Sequence, residues 1–167
     1  MQIYWINSPA PKSLAIISRP RGEDWLEDEI QALQCDGIDI VVSLLTPQEQ
    51  RELGLVNEVS ACEQAGIEYL NFPIDDRGVP TSAREFSIFV HELAEAIAKG
   101  RIIGVHCRMS IGRSSLLSAA ILCLQGLDPG SAFELLSEAR GLQVPDTNEQ
   151  VAWVEQFVRG PYCNGAK

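Results

Sequence analysis

Three short apolar runs bounded by glycine or polar residues recur along the chain, at 38–45 (IDIVVSLL), 67–72 (IEYLNF) and 101–106 (RIIGVH). Their length and lack of alternation predict strands buried on both faces. Helical patterns lie between and after them. Thr46, Pro47 and Glu49 combine an N-cap, a first-turn proline and the capping-box position, so a helix follows the first run and Gly54 ends it. From Thr81 onward Phe86, Phe89, Val90, Leu93 and Ile97 recur at helical spacing, closed by Lys99 and Gly100. Further helices are predicted from Arg113 to about Gly126, from the DPGS segment to Gly141, and from about Thr147 to Arg159. The proline-containing N-terminal stretch reads as a loop around a short edge element. Strands alternating with helices predict an α/β domain.

Composition bounds what such a domain can do. At 167 residues and 46% hydrophobic content, one compact domain spanning 1–167 is expected, with no repeat or linker. A net charge of -10 sets the average field against nucleic acid and anionic membrane surfaces, so a bound anion must be held locally. The most apolar stretch, LLSAAILCL at 116–124, falls far short of the roughly 20 residues that span a bilayer and reads as a buried helix. The N-terminus shows no signal-peptide pattern. Cysteines 35, 62, 107, 123 and 163 are odd in number, scattered and without CxxC spacing, which fits a reduced, cytoplasmic setting and gives no zinc or redox motif. A monomer needing neither metal nor organic cofactor is expected.

The chemistry concentrates in VHCRMSIGRSS, residues 105–115. A Cys and an Arg six residues apart are a weak signal by themselves. Here, however, the pair follows an apolar strand, flanks Gly112 and opens a helix. Strand, small loop and helix N-terminus make an anion site, because loop amides and the positive end of the helix dipole converge there. The same field favours the thiolate of Cys107, a nucleophile beneath a bound phosphate. Arg113 offers a planar fork to two phosphate oxygens. The competing reading makes Cys107 a core cysteine and Arg113 a helix cap, and the surrounding His, Gly and Ser weigh against it.

HCRMSIGRS, 106–114, resembles the H-C-x5-R-[ST] signature of the cysteine-dependent protein tyrosine phosphatases at every fixed position. The resemblance implies that His106 orients the loop and favours the thiolate, that Ser114 assists thiolate departure, and that Arg108, Met109, Ser110, Ile111, Gly112 and Arg113 cradle the phosphate. Met109 and Ser110 stand where family loops often carry Ala and Gly.

Phosphate-ester cleavage also needs a proton donor. His91 lies on the polar side of its helix and reads as a surface residue. DDRGVP, 75–80, is similar to the general-acid loop of small dual-specificity phosphatases, with Asp75 in place of a usual proline; alignment favours Asp76 and leaves Asp75 open. TNEQ, 147–150, resembles the segment whose glutamine positions water, and also reads as a plain Thr N-cap followed by an exposed Gln150. With VVSLLTPQEQRELGL at 41–55, these matches identify a small dual-specificity phosphatase similar to bacterial and cyclin-dependent-kinase-inhibitor-like members. That implies a central, mainly parallel sheet of about four to five strands with helices on both faces.

The implied substrate is a phosphorylated protein, phosphotyrosine first and phosphoserine or phosphothreonine next. Phosphoinositides and other small phosphomonoesters stand second, because Arg108 is the loop's one added base. A non-catalytic phosphate-binding module is the alternative of a different class. Cys35 or Cys62 could form a regulatory disulfide with Cys107, against a buried structural role for each.

Overall fold

The computed structural model describes residues 1–7, 12–161 and 163; Pro9 and Pro11 of the expected N-terminal loop lie outside them. The elements run β1 (Ile3–Trp5), β2 (Leu14–Ile17), α1 (Leu26–Cys35), β3 (Ile40–Ser43), α2 (Pro47–Glu52), α3 (Glu58–Gln64), β4 (Glu68–Asn71), α4 (Ala83–Ala98), β5 (Ile103–His106), α5 (Gly112–Leu124), α6 (Pro129–Arg140) and α7 (Asn148–Arg159). Among the described residues the strands form one five-stranded sheet in the order β1-β2-β5-β3-β4. Only its β1–β2 pair is antiparallel. This is the α/β fold that the alternation of patterns predicts, with the mainly parallel sheet that the resemblance implies.

The sheet separates two apolar layers. Leu14, Ile16, Ile40, Val42, Ile103 and Val105 pack with buried residues of α4 to α7, among them Phe86, Leu117, Leu136 and Phe157. Ala15, Ile17 and Val41, the alternating positions, face Leu26, Ile30, Leu33 and Ala61 of α1 and α3. Burial on both faces removes the polar alternation that marks a half-exposed strand, which is why β3 and β5 read as unbroken apolar runs; β4, expected to be buried in the same way, is an edge strand with Glu68 and Asn71 exposed.

β1 is the short edge element expected near the N-terminus, whereas β2 corrects that expectation. All four of its residues are buried, and it sits inside the sheet between β1 and β5 rather than serving as a loop around an edge. The run is only four residues long and lies near prolines; its partner Ile103↔Leu14 is far away in sequence. Pairing at that range leaves no local pattern.

The capping signals are realised. Thr46 Oγ1 accepts from the Glu49 amide at 3.3 Å while Glu49 Oε2 accepts from the Thr46 amide at 3.0 Å. Ser82 caps α4, its side chain accepting from the Glu85 amide. Gly141 closes α6 in the left-handed conformation at φ 69°, which glycine adopts without steric cost. In α5 every residue from Gly112 to Cys123 is buried, so the most apolar stretch is a helix threaded through the core. No helix among the described residues is long and apolar enough to cross a membrane.

Candidate active site

β5 lies at the middle of the sheet and delivers Cys107 immediately past its C-terminal end, where ligands of open parallel sheets bind. Residues 107–111 then turn into α5. Ile111, the residue before the helix, makes no side-chain cap hydrogen bond, so the first-turn amides have no capping acceptor from it. Cys107 is 3% exposed, and its Sγ stands 3.7 Å from the hydroxyl of the fully buried Ser114. A thiol, a hydroxyl and a helix N-terminus thus meet at one point.

Arg113 is one of the largest fully buried side chains of the protein, at 1% exposure. Its Nη1 donates to Glu49 Oε2 at 2.8 Å and to the Ile74 carbonyl at 2.7 Å. Its Nη2 donates to Glu49 Oε1 at 2.9 Å and to Asp76 Oδ1 at 2.9 Å. Burial disfavours the guanidinium charge, but the bond to Glu49 and the fields of Cys107, Glu49 and Asp76 outweigh it and raise its pKa. Burial likewise raises Glu49, and the bonds to Arg113 and Thr46 outweigh it, leaving Glu49 below the usual carboxylate range. Glu49 was legible in sequence as a capping-box residue. That the same carboxylate clamps Arg113 was not, because the contact joins positions 64 apart.

The acid loop follows β4. A tight turn, with the Gly78 amide donating to the Asp75 carbonyl at 2.8 Å and Arg77 at φ 58°, carries Asp76 at its tip. The structure therefore brings Asp76 to Arg113, while Asp75 supplies the carbonyl that closes the turn.

Within the phosphate loop the two unusual residues have distinct fates. Met109 is 69% exposed. Ser110 is buried and left-handed, at φ 53°, where family loops carry glycine. That conformation costs an L-residue about 1–2 kcal/mol. Ser110 Oγ donates to the Ile17 carbonyl at 2.6 Å, tying the loop to β2 and offsetting part of the strain. Ser110→Gly is therefore expected to change stability by no more than about 1 kcal/mol, since relief of strain and loss of the bond oppose each other. Ser110→Val loses the bond and strains a β-branched residue, for a loss of about 2–3 kcal/mol. Denaturant melts of the two variants check the ordering, and equal stabilities refute it.

Two arginines brace the loop from outside. Arg19 Nε donates to the Arg108 carbonyl at 3.3 Å, and Arg140 Nε to the Ser110 carbonyl at 2.8 Å. Arg108 itself pairs with Glu52 at 3.1 Å. With Tyr4 and Met109 these side chains line an open hollow of about 270 Å3 beside the loop. Ile111 is half-buried against the core.

Gln150 is fully buried, against its reading as an exposed helical residue. Its amide nitrogen donates to the Gly78 carbonyl at 3.1 Å, joining α7 to the acid loop. The Thr147 cap also exists, through the Gln150 backbone amide at 3.2 Å. A Cβ on Gly112 would come within 2.5 Å of Asp146 Oδ2 and 2.9 Å of the Gln150 amide atoms, so only glycine admits these two side chains to the loop. Asp146 carried no signal in the sequence beyond its nearness to Gln150.

The other cysteines and His91 stand apart from this chemistry. Cys107, Cys62 and Cys35 are all free, and Cys35 is exposed on α1 rather than a buried structural residue. Burial first, then the fields of Glu58 and Glu63, push the Cys62 thiol up to about 12. His91 is half-buried, its Nδ1 2.8 Å from the Ser87 carbonyl.

Known proteins resemble this chain over most of its length. Cyclin-dependent kinase inhibitor 3 of Rattus norvegicus is 27% identical over 134 residues, covering 79% of this chain and 63% of that protein. Putative tyrosine phosphatase 197R of Invertebrate iridescent virus 6 is 28% identical over 127 residues, covering 74% of this chain and 44% of that protein. The chain thus spans less than two thirds of the length of these curated relatives. Kinase associated phosphatase, solved with its catalytic-site cysteine changed to serine, superposes with a TM-score of 0.82 at 21% identity, over 94% of this chain and 93% of that one. Tk-PTP in its active form gives 0.74 at 24% identity, over 90% and 97%. At these identities the two structures establish a shared fold. The family described as Tc-R-P, polymorphic toxin system, DSP-PTPase phosphatase, matches residues 15–127, which runs from β2 through α5 and is well over half the chain. The chain belongs to that family, in the dual-specificity branch of the cysteine-dependent protein tyrosine phosphatases.

Proposed function

We propose that this protein hydrolyses phosphomonoesters through a phosphocysteine on Cys107, acting on phosphotyrosine and also on phosphoserine or phosphothreonine in proteins. The observation that carries the reading is the meeting of Cys107, the uncapped start of α5, and an Arg113 clamped by Glu49 with Asp76 on its Nη2. In the first step Cys107 Sγ attacks phosphorus, the S–P bond forms as the bond to the leaving oxygen breaks, and Asp76 gives that oxygen its proton. Loop amides and Arg113 hold the equatorial oxygens as charge develops on them. In the second step a water held by Gln150 attacks phosphorus, its proton passes to the Asp76 carboxylate, and the S–P bond breaks. Ser114 donates its hydrogen bond to the departing thiolate. Side chains and loop amides of this chain carry both steps.

Asp76 sits on the Arg113 nitrogen that a phosphate oxygen also needs. Phosphate therefore displaces Asp76 and frees it for proton transfer. Asp76→Asn is expected to lower kcat for an aryl phosphate by about 10²–10⁴-fold, the usual worth of a positioned acid. Its KM is expected to stay level or fall, because a neutral amide competes less for Arg113. Asp75→Asn is expected to stay within about threefold of wild type, since that residue's part is the backbone closure of the turn. Steady-state hydrolysis of p-nitrophenyl phosphate in EDTA tests the whole reading: no turnover by wild type on aryl phosphate, phosphopeptides or phosphoinositides, with phosphate analogues still bound, replaces it with the binding module. If Asp75→Asn is the more damaged variant, the acid is Asp75.

The open hollow beside the loop supports a broad substrate range, because it offers an aromatic ring, an exposed Met109 and three arginines rather than a deep slot. Two proteins of this fold have been solved with different ligands, PTPMT1 with PI(5)P and P. aeruginosa TpbA with pTyr. Side-by-side kcat/KM values on a phosphotyrosine peptide and a soluble phosphoinositide rank the two classes. The free cysteines among the described residues fit a reducing, cytoplasmic setting.

A further inference from the structure

Behind Cys107, on the opposite face of the sheet, lies a buried pair that the mechanism above leaves unused. Val105 and Cys107 belong to the α4–α7 layer, so His106 between them points the other way, toward α3. There its Nε2 stands 2.8 Å from Oε1 of Glu58, the first residue of α3, and both side chains are 0% exposed. None of the four side-chain polar atoms of the pair, His106 Nδ1 and Nε2 and Glu58 Oε1 and Oε2, makes an aligned hydrogen bond among the described residues, so the 2.8 Å contact is an ion-pair approach rather than a directed bond. Strand pairing fixes the face of the sheet from which the imidazole projects, because the His106 carbonyl accepts from the Leu44 amide at 3.0 Å and His106 is in register with Ser43.

We propose that Glu58 is a positioning residue of this site: it holds His106 as an imidazolium directly behind Cys107 and thereby sustains the thiolate that begins the reaction. The proposal rests on the phosphatase reading for its purpose, though not for its test. A carboxylate out of contact with water is strongly disfavoured unless a countercharge meets it. His106 is the basic group within ion-pair reach of Glu58 among the described residues. A proton on His106 and the charge on Glu58 therefore stand or fall together. The ion-pair form sets its positive end on the residue adjoining Cys107 and its negative end one side chain further away, a dipole that favours charge on sulfur. The other titratable neighbours do not take this role. Cys62, one turn along α3, is pushed up to about 12, chiefly by burial and then by Glu58. Tyr69 on β4, whose hydroxyl accepts from Gln50 at 3.1 Å, is likewise raised, first by burial and then by Glu58. Both stay protonated and neutral at pH 7.

Alkylation by neutral iodoacetamide reads the Cys107 thiolate without any substrate. In Glu58→Gln, which keeps the size of the side chain and removes its charge, the midpoint pH of Cys107 alkylation is expected to move upward by about one unit, equivalent to about tenfold less thiolate on the acid limb. The plateau rate at high pH is expected to match wild type. Glu58→Asp, which keeps the charge on a shorter stem, is expected to recover part of the shift, and the acid limb of kcat/KM is expected to move with the alkylation midpoint. An unchanged midpoint in a Glu58→Gln protein that melts cooperatively overturns the proposal. The wild-type protein supplies a second measurement that needs no variant to fold: ring-nitrogen NMR shifts of His106 are expected to be those of imidazolium at pH 7. A neutral ring at that pH overturns the proposal equally. Because alkylation and NMR need no turnover, an inactive wild type would refute the phosphatase reading and leave the Glu58 result standing by itself.

Discussion

Cys107→Ser is expected to abolish aryl-phosphate turnover, by about 10⁴-fold or more, while phosphate analogues still bind. Removing a nucleophile from a covalent mechanism costs on this scale because the remaining machinery can only bind and polarise. Serine fits: Cys107 is 3% exposed in a tight loop, and a hydroxyl retains the hydrogen-bonding position opposite Ser114. What it lacks is an accessible anion, since an alcohol does not ionise near neutral pH in the way a thiol does. Binding survives because the loop amides and Arg113 are untouched. A stoichiometric covalent phosphoenzyme, trapped by rapid quench in wild type and absent from Cys107→Ser, completes the test. Residual turnover of a few per cent in the variant would end the covalent reading.

Arg113→Lys is expected to lower kcat/KM by about 10²–10³-fold with the fold intact, the scale for losing a preorganised donor to the transition state. Lysine keeps the positive charge against Glu49, yet it cannot bond two carboxylate oxygens of Glu49 and reach the phosphate in one plane. Arg113→Met separates the two roles of the residue. It leaves Glu49 without its countercharge in a buried site, and breaking such a pair costs about 3–5 kcal/mol. The pH dependence of stability carries the same signature. Glu49 in the folded protein is held below its ordinary value of 4.5, so it contributes stability above that pH and loses it as acid approaches its lower folded value. In Arg113→Met that acid-side loss of stability is expected to shrink. Denaturant melts at pH 7 and pH 4 measure it, and an undiminished loss would place the acid sensitivity elsewhere.

These two residues were legible in the sequence, and their partners were not. Cys107 and Arg113 are held by one strand-loop-helix segment, so a local pattern was enough to predict that they meet. Asp76 reaches Arg113 across 37 positions and Gln150 reaches the Gly78 carbonyl across 72; the resemblance to related phosphatases singled out both residues, and no local pattern announced either contact. Glu49 was seen for its local bond to Thr46 and missed for its distant bond to Arg113. Glu58 opens α3, an element with no strong apolar period, and nothing near it in the sequence points to a histidine on β5. β2 was missed for the same reason, since four apolar residues beside prolines become an interior strand only through pairing with β5.

The sequence by itself determined the elements whose stabilising contacts lie within a turn or two: caps, the amphipathic α4, the apolar α5, and the loop that bears nucleophile and arginine. It also determined that an anion must be met locally, since a chain of net charge -10 has no favourable average field to offer. Tertiary structure decided which carboxylate clamps Arg113, which aspartate faces it, how Ser110 is anchored in a glycine's conformation, and what stands behind His106. Those outcomes depend on how strands order themselves in the sheet. Strand order follows from burial of both faces at once, a condition that no local stretch of the chain can express.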